Sequence, residues 1–481
     1  MSKVTKDIEA PLAKVFRYIE QEKNNFVENL KNAVSIKSVS ADPNLRFEVL
    51  KMMNWANNKL KILGAEVELC ETGIQVMNNE KIELPPVLMG KLGNNTSKKT
   101  ICLYGHLDVQ PADISDGWSS EPFILTKRDD KLYGRGSSDD KGPVLGWMHA
   151  IEAYQQTGTE LPVNLKFIFE GMEESGSIGL SELLSKRKDT FFSDVDYVCV
   201  SDSYWLGTEK PCLTYGLRGM CSFGVEIKGS SKDLHSGMYG GIVFEAMSDL
   251  IHILDKLVDH KGKILIPGIY NDVEPLSEKE KELFMKLDFN VDNHLTDIGV
   301  SKPLKETKED LLINNWRKPS LSIHGIEGAF SGSGFKTVIP RKVIGKFSIR
   351  LVPNQDPKKV SDQVKSYINS IWNSRKSPNK LKIIQSNDGE IPWITDPFNS
   401  HFMAAHRATE IVYNSEPDYT ICGGSIPITL TLEKITGKSV LLLPMGAGDD
   451  GAHSQDEKIN LLNYIEGTKL MAAYLYEVSK I

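Results

Sequence analysis

Thr100-Ile-Cys-Leu-Tyr-Gly-His106-Leu-Asp108-Val109 is the stretch on which the reading of this chain turns. Residues 100–104 are β-branched, apolar or aromatic and read as a strand, and they run directly into a glycine, a histidine and an aspartate. Open α/β sheets place their functional groups beyond the carboxyl ends of strands, where His106 and Asp108 fall. Residues two apart on an extended chain point to the same side, so Asp108 can accept a hydrogen bond from the ring of His106. Taken alone, such a pair is more often structural. Its weight depends on what the neighbouring strands carry.

Outward from this strand, short apolar runs alternate with helical periodicity. Residues 65–70, 87–92, 164–169 and 196–200 read as strands, and 143–155 and 180–186 as helices. Before them, 7–64 reads as two amphipathic helices broken at Ser38-Val-Ser-Ala-Asp-Pro43. This alternation predicts an α/β fold, a mixed or parallel sheet covered by helices. Near 210 the pattern changes: 213–227 is strand-rich, 242–258 reads as a long helix, and 270–318 is polar and irregular. Strands at 320–324, 346–351 and 380–385 follow, with a helix at 358–372 before the last. From about 390 the first style returns, with a helix over 399–413, a strand at 440–443 and a closing helix over 458–478. Residues 1–209 and 389–481 are therefore expected to form one mixed-sheet α/β domain, interrupted by a smaller inserted α+β domain over 210–388.

The 481 residues include 40% hydrophobic and 25% charged side chains, enough for a full core, and the net charge is −7. That balance argues against nonspecific binding to nucleic acid or anionic membrane, both of which need concentrated Lys and Arg. No run approaches the roughly 20 apolar residues that span a bilayer. The polar start, Met1-Ser-Lys-Val-Thr-Lys-Asp7, lacks the apolar core of a signal peptide. The six cysteines are scattered without a Cys-x-x-Cys pair, so free thiols and a cytoplasmic location are expected. Asn94 and Asn95 head glycosylation sequons, but read as a turn between two strands.

Four more segments place an acid or a histidine at a strand end or a glycine-rich turn. In Gly134-Arg-Gly-Ser-Ser-Asp139-Asp-Lys-Gly142, Asp139 sits at the entry to a helix, where a cap is the plain alternative. Glu170-Gly-Met-Glu173-Glu174 follows an apolar strand. Adjacent glutamates at a buried sheet mouth need a cation or protons to coexist, although on a surface they would be an ordinary solvated pair. Asp202 ends the next strand, where it could equally cap a turn, and His453 is displayed by the glycine-rich loop after 440–443. Five segments presenting His, Asp or Glu, four of them after strands, weaken the separate structural explanations together. Imidazole and carboxylate donors without thiolates suit Zn2+ or Mn2+ in an open site. Such a set can hold two ions about 3.5–4 Å apart, as in aminopeptidase-type hydrolases.

These segments, with Leu234-His235-Ser-Gly and Gly423-Gly-Ser425-Ile-Pro427, resemble, in order and over nearly the whole chain, the cytosolic non-specific, carnosinase-like dipeptidases. That family belongs to the clan of dinuclear metallopeptidases that includes carboxypeptidase G and aminoacylase. The resemblance implies metal-dependent hydrolysis of dipeptides, Cys-Gly among them, by a hydroxide bridging two divalent ions. Asp139 would bridge the ions, His106 and Asp202 would complete one coordination sphere, and Glu174 and His453 the other. Glu173 would be the general base and Asp108 would orient His106. The inserted domain would serve as lid and dimerisation domain in a homodimer, with His235 reaching the partner's site to steady the oxyanion. Thr337, Arg350 and Ser425 match substrate contacts. At one point the chain departs from the family: relatives commonly carry an acid just before Gly423, where this sequence has Cys422. A deacylase on the same fold, which would not need to recognise a free amine, is one alternative. A non-catalytic scaffold is the other, though no ligand or base is missing.

Overall fold

In the strand Thr100–His106 every residue is buried, because both of its edges and both of its faces are covered. Parallel partners Asn164–Glu170 and Tyr197–Val200 flank it, with His106 in register with Glu170. Ile101 and Leu103 point into one hydrophobic cluster and Cys102 and Tyr104 into another, the period-two consequence of a sheet buried on both sides. The computed structural model describes residues 9–77, 80–385 and 388–481. The sheet has nine strands and is mixed. Val87–Leu92 and Glu66–Cys70 extend it antiparallel on one side, and Val440–Leu442 continues it parallel to Tyr197–Val200 on the other. Cys212–Leu217 follows, pairing with Asp418–Cys422 and with Trp393–Ile394. The mixed α/β expectation is met.

Helices Lys141–Gln156, Ser400–Tyr413 and Leu461–Val478 cover the face beneath Ile101 and Leu103, while Leu180–Lys186 and Pro427–Thr436 cover the opposite face. At Arg218 the chain leaves this sheet and enters a second, antiparallel one of four strands: Ser320–Glu327, Lys342–Leu351, Gly219–Lys228 and Lys380–Gln385. Residues of Gly219–Lys228 alternate buried and half-buried. Phe223, Val225 and Ile227 pack with Leu250 and Ile253 of Ala246–Asp255 and with Val364 and Ile368 of Pro357–Arg375. One face of this layer is therefore core and the other is open.

Some elements differ from expectation. The helix expected over 242–258 is the shorter Ala246–Asp255. Gly240 and Gly241, the latter at φ 77°, interrupt the chain after Ser236–Tyr239, and Ile242–Phe244 remains non-helical and largely exposed. The stretch expected to be irregular, 270–318, contains helices Glu278–Lys286, Val291–Asp297 and Lys308–Trp316. A capping box between Ser277 and Glu280 starts the first, and Phe284, Leu287, Leu312 and Trp316 are buried in the cluster under the large sheet. The N-terminal region has three long helices, because the first expected one divides at Glu22 into Ala10–Gln21 and Lys23–Val34 before Arg46–Ile62. Residues 7 and 8 of that expectation lie outside the described residues. Lys458–Asn460 is a short strand, so the closing helix begins at Leu461. The Asn94-Asn95 segment is a turn, with the Asn95 side chain accepting from Ser97 N at 3.0 Å. All six cysteines are free, and among the described residues no helix is long and apolar enough to cross a membrane.

Candidate metal centre

His106 ends its strand against the helix entry at 139–141, and the approach is close enough to require the preceding glycine. A Cβ on Gly105 would meet Val144 Cγ2 at 2.5 Å and Asp140 Oδ2 at 2.8 Å. The ring is buried. Its Nδ1 lies 3.1 Å from the Asp108 carbonyl and 3.5 Å from that residue's Oδ1, and its Nε2 lies 2.9 Å from Asp139 Oδ1. Asp108 does more than sequence suggested. Its carboxylate accepts the backbone N–H groups of Glu173 and Glu174, each at 3.1 Å, and so ties the glutamate turn to the histidine strand.

Asp139 is not a helix cap: the residue at the cap position is Asp140, whose side chain makes no capping bond. The second oxygen of Asp139 lies 3.2 Å from His453 Nε2, so each oxygen faces a different imidazole. Glu174 lies on the His453 side, with Oε2 3.0 Å from Nε2 and 2.7 Å from Gln110 Nε2. Asp202, beyond Tyr197–Val200, lies 3.9 Å from His106 Nε2. Two groups result. His106, Glu173 and Asp202 offer ligand atoms within 4.8 Å of one another, as do Asp139, Glu174 and His453. His453 forms the open wall, its side chain 57% exposed.

Burial pushes the Asp202 carboxyl up to about 7, reinforced by Asp139 and Glu174, and lifts Glu173 well above the usual range, reinforced by Asp202 and Glu174. Burial works the same way on Asp139, but His106 and His453 outweigh it and hold that carboxyl low. Hydrogen bonding to Asp139 and Glu174 raises His453 to about 10. Four facing carboxylates and two imidazoles in a buried site form an anionic set that needs protons or cations. Asp139, Glu173, Glu174 and Asp202 carry a formal −4 when ionised, matching two divalent ions. The donors are all nitrogen or oxygen, consistent with zinc or manganese chemistry.

The remaining candidates form two pairs. Arg350 Nη1 donates to Ser425 Oγ at 2.9 Å, and Ser425 Oγ donates to the Arg218 carbonyl at 2.7 Å. His235 and Thr337 are exposed neighbours on a ribbon in which Leu234–His235 pairs with Val338–Ile339, and Ser236 N donates to the Thr337 carbonyl. None of their hydrogen bonds reaches the six clustered residues; His235 Nδ1 accepts from Gly237 N at 3.0 Å. Cys422 is half-buried and lines a cleft of about 360 Å3 with Tyr204, Asn315, Thr420, Gly451 and Ala452.

Sequence reasoning passed over Glu457, Gln110 and Arg218. Glu457 is fully buried beneath the Asp139 turn, yet in Ser454-Gln-Asp-Glu-Lys458 it reads as part of a solvated charged run. Gln110 and Arg218 carried no local signal.

The chain matches the description of peptidase family M20/M25/M40 over residues 102–477. It is 51% identical over 485 residues to the Cys-Gly metallodipeptidase DUG1 of Candida albicans, covering 100% of both chains. It is 48% identical to the human Beta-Ala-His dipeptidase, covering 98% of this chain and 94% of that protein. The structure of the di-peptidase Dug1p of Saccharomyces cerevisiae superposes with a TM-score of 0.93 at 47% identity, covering 98% of this chain and 99% of that one. A match across more than three quarters of the sequence, with half its residues shared end to end with such relatives, makes this chain a member of peptidase family M20/M25/M40.

Proposed function

We propose that this protein is a metallodipeptidase that hydrolyses dipeptides of the Cys-Gly kind, using two divalent ions, Zn2+ or Mn2+. The observation that carries this reading is Asp139, whose two oxygens face the two imidazoles on either side. His106 and Asp202 would hold one ion, Glu174 and His453 the other, and Asp139 both. Ions bound there supply Lewis acidity and lower the pKa of a coordinated water toward about 7.

The protein's own groups do the rest. Asp108 holds His106 through its carbonyl and fixes the Glu173–Glu174 turn through its carboxylate. Glu173, half-buried and with a raised proton affinity, takes a proton from the attacking water and delivers it to the departing amine nitrogen. Arg350 and Ser425 bind the substrate's terminal carboxylate, for which a guanidinium fork is suited. His235 and Thr337 act from the lid, with His235 donating to the oxyanion in the partner's site. Their exposed ribbon, with no hydrogen bond to this chain's own cluster, supports that assignment. In this arrangement 1–209 and 389–481 carry the chemistry, 210–388 is lid and dimer interface, and the active unit is a homodimer in the cytoplasm. Free thiols throughout support that compartment.

Cys422 favours a second reading, an N-acyl amino acid deacylase. A half-buried, neutral thiol at the cleft edge gives a free substrate amine no anionic partner. Rates on Cys-Gly, β-Ala-His and N-acetyl amino acids, measured with added Zn2+ or Mn2+, separate the two. Dipeptides faster than N-acetyl amino acids support the dipeptidase, and the reverse order supports the deacylase.

A further inference from the structure

We infer that Glu457 is a positioning residue that fastens the loop carrying Asp139 to the loop carrying His453, and so sets the placement of these two ligand residues relative to each other before any ion arrives. The inference rests on the metal-binding reading above.

Glu457 is four residues from His453 and has no exposed surface. Its Oε2 accepts from Arg135 Nη1 and from Gly136 N, both at 2.9 Å. Its Oε1 accepts from Ser138 N at 3.1 Å and from Asp139 N at 3.0 Å. A carboxylate has about four acceptor positions, and here all four are filled, two per oxygen. Three of the donors are backbone amides of the turn that ends in Asp139, one being the amide of Asp139 itself. The same two loops are joined again by Ser138 Oγ donating to Asp450 Oδ2 at 2.6 Å and by Arg135 Nη2 donating to the Ser454 carbonyl at 3.1 Å.

This arrangement answers a need of the turn. Both side-chain oxygens of Asp139 are directed at imidazoles, so the residue must be held by its backbone. The turn cannot be held by its own helix, since its amides precede the first helical residue, Lys141. Glu457 supplies the acceptors from the other ligand loop. Any shift of 454–458 therefore moves Asp139 and His453 together.

Glutamine at 457 keeps the volume but not the bonding. The amide oxygen accepts two N–H groups, and the amide nitrogen then faces the other two donors, whichever way it is turned. Groups that orient metal ligands typically cost about 10–100-fold in metal affinity when lost. Glu457→Gln should bind Zn2+ roughly 10–100-fold more weakly in competition with a chelator. Arg135→Met is the comparison. It removes one of the four donors to Glu457, the ion pair and the bond to the Ser454 carbonyl, but leaves the three backbone bonds, so it should lower Tm while keeping Zn2+ affinity within about threefold of wild type. Equal Zn2+ affinity in Glu457→Gln and wild type, or parallel losses in both variants following Tm, would overturn the inference. If Glu457→Gln does not fold, hydrogen exchange on the metal-free wild-type protein decides. Protected amides at Gly136, Ser138 and Asp139 support a clasp made in advance of the ions, and rapid exchange there refutes it. Failure of wild type to take up Zn2+ would refute the underlying metal reading, whereas normal uptake with an unaffected variant sinks the clasp alone.

Discussion

Replacing Glu173 by glutamine separates base from ligand more sharply than any other single change. The side chain keeps its shape and its backbone N–H stays on Asp108 at 3.1 Å, so the turn should not move. What is lost is a carboxylate whose proton affinity burial raises well above the ordinary glutamate value. A positioned general base contributes about 10²–10⁴-fold, or roughly 2.7–5.5 kcal/mol of barrier at about 1.36 kcal/mol per decade. Turnover of Cys-Gly should fall by that factor with metal content nearly unchanged. Glu174→Gln should behave differently, because its Oε2 stands 3.0 Å from the ring of His453 and an amide is a poor substitute for a charged donor. It should lose metal first and activity as a consequence, by more than the roughly 10–100-fold in affinity that loss of a ligand-orienting group costs. The assay is kcat beside metal per chain on the same preparations. Glu173 also lies within 4.8 Å of the His106 and Asp202 donors. Equal metal loss in both variants would therefore make Glu173 a ligand and refute the division of roles.

Three further outcomes follow from the same geometry. On the proposal that Arg350 and Ser425 bind a terminal carboxylate, dipeptides should outpace tetrapeptides, and Arg350→Met should cost about 1.5–3 kcal/mol, roughly 10–150-fold in kcat/KM for dipeptides; tetrapeptides cleaved equally fast would contradict this. Acid should destabilise the fold through His149 and His401, which burial holds neutral, pushed down from 6.5 to about 3. Their contribution is complete above pH 6.5 and is lost as pH falls toward 3, by about 2 kcal/mol each between pH 6.5 and pH 5. Urea denaturation of His401→Gln should accordingly show a flatter dependence over that interval. Mixing inactive His235→Ala with inactive Glu173→Gln protein should restore about a quarter of the wild-type rate, since random exchange makes about half the dimers hybrid and each hybrid has one complete site. No recovery despite proven heterodimers would place the action of His235 within its own chain.

The centre of the large sheet was legible because Thr100–His106, Asn164–Glu170, Tyr197–Val200 and Val440–Leu442 are buried and mostly apolar, and beyond each of them the chain gives way to His, Asp or Glu. Thr100–His106 is the clearest case. The helices between 278 and 316 were not legible by periodicity, since they are short and bury at most two apolar residues each among those described. The Ser277–Glu280 capping box was the signal available there. The division at Glu22 has no glycine or proline to announce it. At the candidate site, the residue types and their strand-end positions could be read locally. Which oxygen faces which ring could not, because that depends on segments more than 300 residues apart. Glu457 shows the limit plainly: its neighbours in sequence are Asp456 and Lys458, yet its partners are 135–139. Asp108 was read as an acceptor for His106, but its carboxylate is bonded to the glutamate turn and its carbonyl to the ring.

The central claim, two ions held by one set of residues, is tested most directly by returning Zn2+ or Mn2+ to the metal-free enzyme. Bound metal and Cys-Gly hydrolysis are followed in the same titration. The proposed pair of ions predicts no hydrolysis without metal and full rate only as the second equivalent binds. Full rate with one equivalent or less, or hydrolysis that survives complete chelation, would contradict it.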